Sequence, residues 1–194
     1  MKASERLLRY IQISPSSEKS ETTPSTECQF ELANLLAEEM RLLSLQNVRV
    51  TENCFVYGEL PATEGLEHVP CMGLIAHMDT APAFNGIGVK PQIIPNYDGG
   101  DVALGGTGET LSPNRFPLLS TLKGKTLITT DGTTLLGADD KAGVAEIMTA
   151  CELLVSEKRP HGRIAVAFTP DEEIGAGVDH FDVAKFGADC AYTV

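Results

Sequence analysis

The chain has 194 residues, of which 42% are hydrophobic and 18 are glycine, so we expect one α/β domain with a sizeable core rather than two large domains. Its formal net charge of −12 argues against nucleic acid and anionic membranes as partners, because both require a basic face. The charge suits metal cations or ligands with a positive amino group, although it would equally serve only to keep the protein in solution.

Two helices are predicted in the first 45 residues. Leu7, Leu8 and Ile11 indicate a short first helix, and the polar segment Ser14–Pro24 is predicted to be a loop. Ser25 is a plausible N-cap for a second, longer helix. That helix has one apolar stripe at helical spacing, which predicts a buried face: Phe30, Ala33, Leu36, Ala37, Met40 and Leu43.

Strands follow in the next part of the chain. Val48–Thr51 and Phe55–Leu60 are predicted to be strands on either side of a turn. Met72–Ala76 is a short continuous apolar run, typical of a central strand covered on both faces. Ala81–Lys125 is rich in Gly and Pro without a clear period, and because structureless loops of that length are uncommon, we expect it to contain a hairpin or two.

The remaining elements alternate between strand and helix. Strands are predicted at Leu127–Thr130, Ile164–Phe168 and Cys190–Val194, with a short helix at Asp182–Phe186. A longer helix is indicated by an apolar stripe at helical spacing: Val144, Ile147, Met148, Cys151, Leu154 and Val155. This alternation predicts a layered α/β sandwich.

Cysteine usage and hydropathy predict a cytoplasmic protein. The five cysteines are odd in number and scattered, and they form no C-x-x-C pair, which is typical of reduced thiols. The N-terminal residues are too polar for the core of a signal peptide, and no apolar run approaches the length of a membrane span.

Histidine and acidic side chains directly follow two of the predicted strands. His77 and Asp79 come after one buried strand, and Glu172 and Glu173 come after another. Open α/β sheets place ligands beyond the carboxyl ends of their strands, so these side chains are expected at one rim of the sheet. Imidazole and carboxylate groups are ligands of divalent metals, which predicts a metal site there.

A third acidic segment is expected at the same rim. Asp139 and Asp140 precede the helix that begins near Lys141, where the helix dipole favours carboxylates. In the extended His77-x-Asp79 segment both side chains lie on the same side, so Asp79 can hold the second imidazole nitrogen. Asp139 follows a tight Gly-Ala turn and is our candidate to bridge two metals about 3.5–4 Å apart.

Each of these motifs has an alternative explanation when it is taken alone. A single H-x-D is very common, Asp139-Asp140 could be only a helix N-cap, and Asp171-Glu172-Glu173 could be a solvated acidic turn. Their joint occurrence next to core-like apolar runs favours the metal site.

The same residues carry a family resemblance. The motifs GLIAHMDT (73–80), TLLGADDKAG (134–143) and AFTPDEEIG (167–175) resemble those of the M20 co-catalytic metallopeptidases, and more narrowly the tripeptide aminopeptidases among them. The resemblance implies a three-layer α/β/α sandwich with a mixed, mostly parallel sheet of the zinc exopeptidase type. Further stretches agree with the narrower match: PSTE (24–27), NYDGGDVALG (96–105), LSPNRFP (111–117), TLITTDG (126–132) and HFDV (180–183).

The resemblance also implies roles for individual residues. His77 would bind one zinc ion, oriented by Asp79, and Asp139 would bridge to a second zinc ion held by Glu173. Glu172 would be the general base for attack by water on the first peptide bond of a tripeptide. The expected substrates are therefore small peptides, with no nucleic acid or membrane partner.

Family members are about twice as long as this chain, which implies that residues 1–194 are the N-terminal portion of the catalytic domain. The lid domain, which often forms a homodimer, and the completion of the catalytic domain would be absent, and each zinc would keep two protein ligands. We therefore expect weak zinc binding and little activity from these residues alone. The alternatives are an M20 deacylase or dipeptidase, or a non-catalytic fragment without metal.

Overall fold

The computed structural model describes residues 1–194, which form two compact units. The larger unit contains Met1–Pro82 and Gly137–Val194, and the smaller contains Ala83–Leu136. None of the helices combines the length and hydrophobicity that are needed to cross a bilayer.

A five-stranded mixed sheet organises the larger unit. Its strands lie in the order β1-β2-β8-β3-β9, and they are β1 (Gln46–Val50), β2 (Val56–Leu60), β3 (Met72–His77), β8 (Ile164–Thr169) and β9 (Cys190–Thr193). β3 pairs in parallel with both β8 and β9, whereas β2 pairs antiparallel with β1 and β8. The mixed sheet is thus confirmed, with equal numbers of parallel and antiparallel pairings because the β1–β2 hairpin extends one side.

Helices cover one face of this sheet and an aromatic cluster covers the other. The helices α1 (Ala3–Tyr10), α2 (Gln29–Leu42) and α3 (Ala138–Ser156) pack with Val56, Val166 and Phe168 in the main core. On the opposite face, Phe55, Tyr57 and Phe181 pack with Phe186 of the short helix α4 (Val183–Phe186). Alternate residues of β2 therefore face different cores, as the period of a strand requires, and the α/β/α layering is confirmed.

The smaller unit consists of two short antiparallel pairs. β4 (Pro91–Ile94) pairs with β7 (Leu127–Thr130), and β5 (Val102–Ala103) pairs with β6 (Thr110–Leu111). The expectation of a hairpin or two in the Gly- and Pro-rich segment is confirmed.

The predicted N-cap of the second helix is wrong. α2 begins at Gln29, its capping position is Cys28, and no side chain caps it. Ser25 instead lies buried three residues earlier, where its backbone N–H and hydroxyl both bind the carboxylate of Asp171. A serine before an apolar stripe is typical of a helix start, but here a distant carboxylate competes successfully for its hydrogen bonds.

Candidate metal centre

Two parallel strands deliver the first residues of the site side by side. His77, the last residue of β3, is in register with Thr169, the last residue of β8. The N–H of the next residue, Met78, donates to the Thr169 carbonyl at 2.8 Å. The segments that contain Asp79 and Glu172 therefore start from adjacent points at the carboxyl edge of the sheet, where α/β folds place their ligands.

The imidazole of His77 lies between three carboxylates. Its Nδ1 is 3.1 Å from the backbone carbonyl of Asp79 and 3.3 Å from the Asp79 carboxylate, so this nitrogen donates. Its Nε2 is 3.0 Å from Asp139 Oδ1 and 3.7 Å from Glu172 Oε2. Nδ1 is thus held by Asp79, two residues along the chain, and Nε2 faces the carboxylates of Asp139 and Glu172, which come from separate segments.

These carboxylates determine the charge of His77. Burial acts to lower the pKa of the imidazole, but hydrogen bonds to Asp79 and Asp139 outweigh it and raise the pKa to about 9. In the metal-free protein His77 is therefore an imidazolium at neutral pH, and a cation already occupies the centre of the acidic cluster.

The raised pKa of His77 predicts that the metal-free chain loses stability above neutral pH. Because the folded-state pKa of about 9 exceeds the ordinary value of 6.5, this contribution to the free energy of unfolding is complete below pH 6.5 and disappears as the pH rises through 9. The full shift corresponds to roughly 3 kcal/mol. Urea unfolding with a chelator across this range measures the loss, and the His77→Gln variant should show a flatter profile. Parallel profiles for the two proteins would contradict the assignment.

Asp79 links His77 to the Glu172–Glu173 turn. It is fully buried, and its two carboxylate oxygens accept the backbone N–H groups of Glu172 at 2.9 Å and Glu173 at 3.1 Å. Burial would raise the pKa of Asp79, but hydrogen bonds from His77, Ser17 and these two amides lower it. Asp79 is thus a fixed anion that joins both segments.

Asp139 and Asp140 lie in a non-helical stretch at the start of α3, joined by a cis peptide bond, after Gly137 in the left-handed region (φ 71°). The Asp139 side chain is 87% exposed and points to His77. Asp140 is buried; one of its oxygens accepts the Gly143 N–H at 3.0 Å, and the other has no partner. Burial raises the pKa of Asp140 to about 6. Only Asp139 of this pair therefore presents its carboxylate to His77.

The acidic turn completes the cluster. Glu172 and Glu173 lie on a single 3-10 turn that follows Asp171. The pKa of Glu173 is raised first by burial and then by the nearby carboxylates of Asp139, Asp79 and Glu172, with His77 acting in the opposite direction. The structure thus brings together the residues that the sequence assigned to one site: His77, Asp79, Asp139, Glu172 and Glu173. Of these, His77, Asp139 and Glu172 border a cavity of about 540 Å³.

Comparison with known proteins finds that this chain is similar to peptidases. Residues 130–193 match peptidase family M20/M25/M40. Peptidase T of Geobacillus kaustophilus is 54% identical over 193 residues, and peptidase T of Desulfitobacterium hafniense (strain Y51) is 58% identical; each alignment covers 98% of this chain and 47% of the relative. The chain is therefore similar to these peptidases over nearly its whole length, and its last third matches the family model. It spans about half the length of the curated relatives that it matches.

Two solved structures share the fold of this chain. A tripeptidase from Staphylococcus aureus superposes with a TM-score of 0.67 at 26% identity, and the match covers all of this chain and 42% of that one. Aminopeptidase PepT from Bacillus cereus gives a TM-score of 0.69 at 24% identity, with the same coverage. The family resemblance in the sequence motifs is therefore confirmed.

The match to peptidase family M20/M25/M40 implies a divalent metal, and the donor chemistry fits one. One imidazole nitrogen and the oxygens of several carboxylates meet at the sheet edge, which is a donor set suited to zinc and similar ions. Burial and the nearby carboxylates both raise the Glu173 pKa, and a bound cation would relieve the repulsion between those carboxylates. No set of three or more His, Cys, Asp or Glu side chains is already arranged around one metal position.

The sequence analysis missed the contacts among Asp171, Ser25 and Gln29 beside the site. Asp171 is fully buried and binds Ser25 and Gln29, so the alternative of a solvated acidic turn is wrong for this residue. No local pattern marks the connection, because Asp171 lies more than 140 positions away from both partners along the chain.

Proposed function

We propose that these 194 residues form part of the catalytic domain of a zinc aminopeptidase that releases the N-terminal residue from tripeptides. The observation that carries the proposal is the position of His77 Nε2, which is 3.0 Å from Asp139 and 3.7 Å from Glu172 at the carboxyl edge of the sheet. The names of the relatives, peptidase T and tripeptidase, support the substrate class.

The ligand assignment follows the family resemblance, and the contact between His77 and Asp139 supports it. His77 and Asp139 would hold one zinc ion, and Asp139 and Glu173 would hold a second, so that Asp139 is shared. Asp79 orients His77 through Nδ1, which leaves Nε2 free to be a ligand once it is deprotonated. Because the metal-free pKa of His77 is about 9, zinc must compete with a proton for this nitrogen.

Glu172 is the general base of the proposed reaction. Bound zinc would supply a lowered pKa for the attacking water and polarisation of the peptide carbonyl. The Glu172 side chain is 58% exposed, and its backbone is held by Asp79, so its carboxylate reaches the open space in front of His77. There it accepts the proton of the attacking water and later gives it to the departing amine.

The negative charge of the chain suits a substrate with a positive amino end. The chain carries a net charge of −12, so it remains negative with two zinc ions bound. A free α-amino group is a cation near neutral pH, so an unblocked peptide gains from this field and an N-acylated one does not. This difference favours an aminopeptidase over a deacylase.

We further propose that residues 1–194 are the N-terminal portion of an M20-type catalytic domain that is completed by further chain, including a lid through which a homodimer forms. The length of the relatives, about twice that of the matched part, supports this organisation. We also propose a cytoplasmic location, which is supported by five cysteines without a disulfide.

A hybrid chain tests the proposed function. In the hybrid, residues 1–194 are continued by the remaining sequence of the Geobacillus kaustophilus peptidase T, and zinc is supplied. We expect hydrolysis of an unblocked tripeptide to exceed that of a dipeptide and of an N-acyl amino acid by at least tenfold. Preference for the dipeptide or the acylated substrate would replace the proposal with a dipeptidase or deacylase. Absence of all three activities would indicate a non-catalytic chain.

A further inference from the structure

The residue that precedes Glu172 has a buried carboxylate with its own set of donors. Asp171 is fully buried and adopts the left-handed conformation, with φ of 56°. Its Oδ2 accepts the Ser25 N–H at 2.8 Å, and its Oδ1 accepts the Ser25 hydroxyl at 2.5 Å and the Gln29 side-chain amide at 2.7 Å. Gln29 also accepts the Asp171 N–H at 3.2 Å through Oε1. Hydrogen bonds alone thus satisfy the buried carboxylate, and no cation is among these partners.

Two carboxylates therefore hold the start of the same turn. Asp79 binds the backbone amides of Glu172 and Glu173, while Asp171 anchors the start of the turn to Ser25 and Gln29. The chain reverses tightly between these anchors, since the Ala176 N–H donates to the Asp171 carbonyl at 3.0 Å. The directions in which the Glu172 and Glu173 side chains leave the backbone are fixed by both anchors.

We propose that Asp171, Ser25 and Gln29 form a positioning unit that aims the carboxylates of Glu172 and Glu173 at the site. The inference rests on the roles assigned to those two glutamates in the proposed function. It gives the loop before α2 a part in the site, because Ser25 and the N-terminal residue of α2 both hold Asp171. Satisfied buried polar networks of this kind specify a single local geometry.

A positioning role and a purely structural role predict loss of exchange protection at different backbone amides. If the unit only stabilises the fold, breaking it lowers the protection of all core amides together. If it positions the turn, the amides of Glu172 and Glu173 lose protection while those of β8 keep theirs, since local opening is independent of global unfolding.

The test measures solvent exchange of individual amides by NMR at pH 7 in the metal-free chain. Gln29→Met removes both the donor and the acceptor at nearly constant volume. Ser25→Ala removes one donor to Asp171, together with the hydroxyl that accepts from the Glu18 N–H and from Gln29. The double variant Gln29→Glu with Asp171→Asn reverses the donor and the acceptor and restores the pair. The control is Gln46→Met, at an exposed position on β1.

We expect Gln29→Met to speed exchange at Glu172 and Glu173 by about tenfold or more, with changes under about twofold in β8. Ser25→Ala should act in the same direction by a smaller factor, and it decides the question if Gln29→Met does not fold. The double variant should return exchange to within about threefold of the unmodified chain. Unchanged exchange at the two glutamates, or an equal increase throughout β8, would overturn the proposal.

Amide exchange in the metal-free chain depends neither on catalytic activity nor on metal binding. A chain that binds no zinc would contradict the proposed function, but it would leave the exchange pattern to be judged on its own. A chain that binds zinc at His77 while Gln29→Met leaves both amides unchanged would overturn the positioning unit alone.

Discussion

The Glu172→Gln variant of the hybrid chain is expected to lose tripeptide turnover by about 10²–10⁴-fold, the contribution of a well-placed general base. Glutamine keeps the shape of the side chain but cannot accept the proton of the attacking water. Zinc should remain bound, because the proposed ligands are His77, Asp139 and Glu173. Steady-state kinetics with a tripeptide, together with metal analysis of the purified protein, measure both quantities.

A matched control separates the role of Glu172 from a general effect of charge. Glu64→Gln removes one negative charge from an exposed position of the same unit and should leave turnover within about twofold of the parent hybrid. Full turnover in Glu172→Gln would remove this residue from the role of base. Loss of zinc together with turnover would instead make it a ligand.

The second large effect concerns stability. Arg6 on α1 is 1% exposed, and its guanidinium reaches Glu39 at 2.7 Å, Glu152 at 2.8 Å and Thr149 at 2.9 Å. Arg6→Ala leaves the buried Glu39 carboxylate without this partner, so we expect the free energy of unfolding to fall by about 3–5 kcal/mol. Urea unfolding of the 194-residue chain measures the change.

Arg9 provides the comparison for Arg6, since it lies on the same helix and approaches the same carboxylate. Its side chain is 50% exposed, and its distance to Glu39 is 3.5 Å. Arg9→Ala should therefore cost under about 1 kcal/mol, as exposed ion pairs usually do. Equal losses for the two variants would show that burial of the Arg6 network does not govern its contribution.

The positions of the main site residues could be predicted because each follows a strong pattern. His77 and Glu172 lie just beyond continuous apolar runs, which become the neighbouring parallel strands β3 and β8. The carboxyl ends of such strands meet at one edge, so side chains far apart in sequence were expected to meet. The metal ligands and their roles within that cluster stay a prediction.

The burial of several polar side chains could not be predicted, because it depends on contacts that no local sequence pattern encodes. Asp140 was expected at the rim of the sheet, but it is buried. The non-helical backbone at the start of α3 directs its side chain inward, and the spacing of apolar residues does not predict such a backbone. Asp171 resembled a solvated residue because its partners come from a loop near the N-terminus. Arg6 gave no sign of burial, since an arginine on a short helix usually faces solvent.

The most direct test of the metal centre is a zinc titration of the 194-residue chain, followed by NMR of the histidine side chains and backbone amides. The proposed metal centre predicts that zinc in millimolar excess shifts the signals of His77 and of the amides near Asp139 and Glu173 together and leaves those of His68, His161 and His180 unchanged. The Asp139→Ala variant should lose this effect. Zinc-dependent shifts at the other histidines without any at His77, or no shift at any concentration, would contradict it.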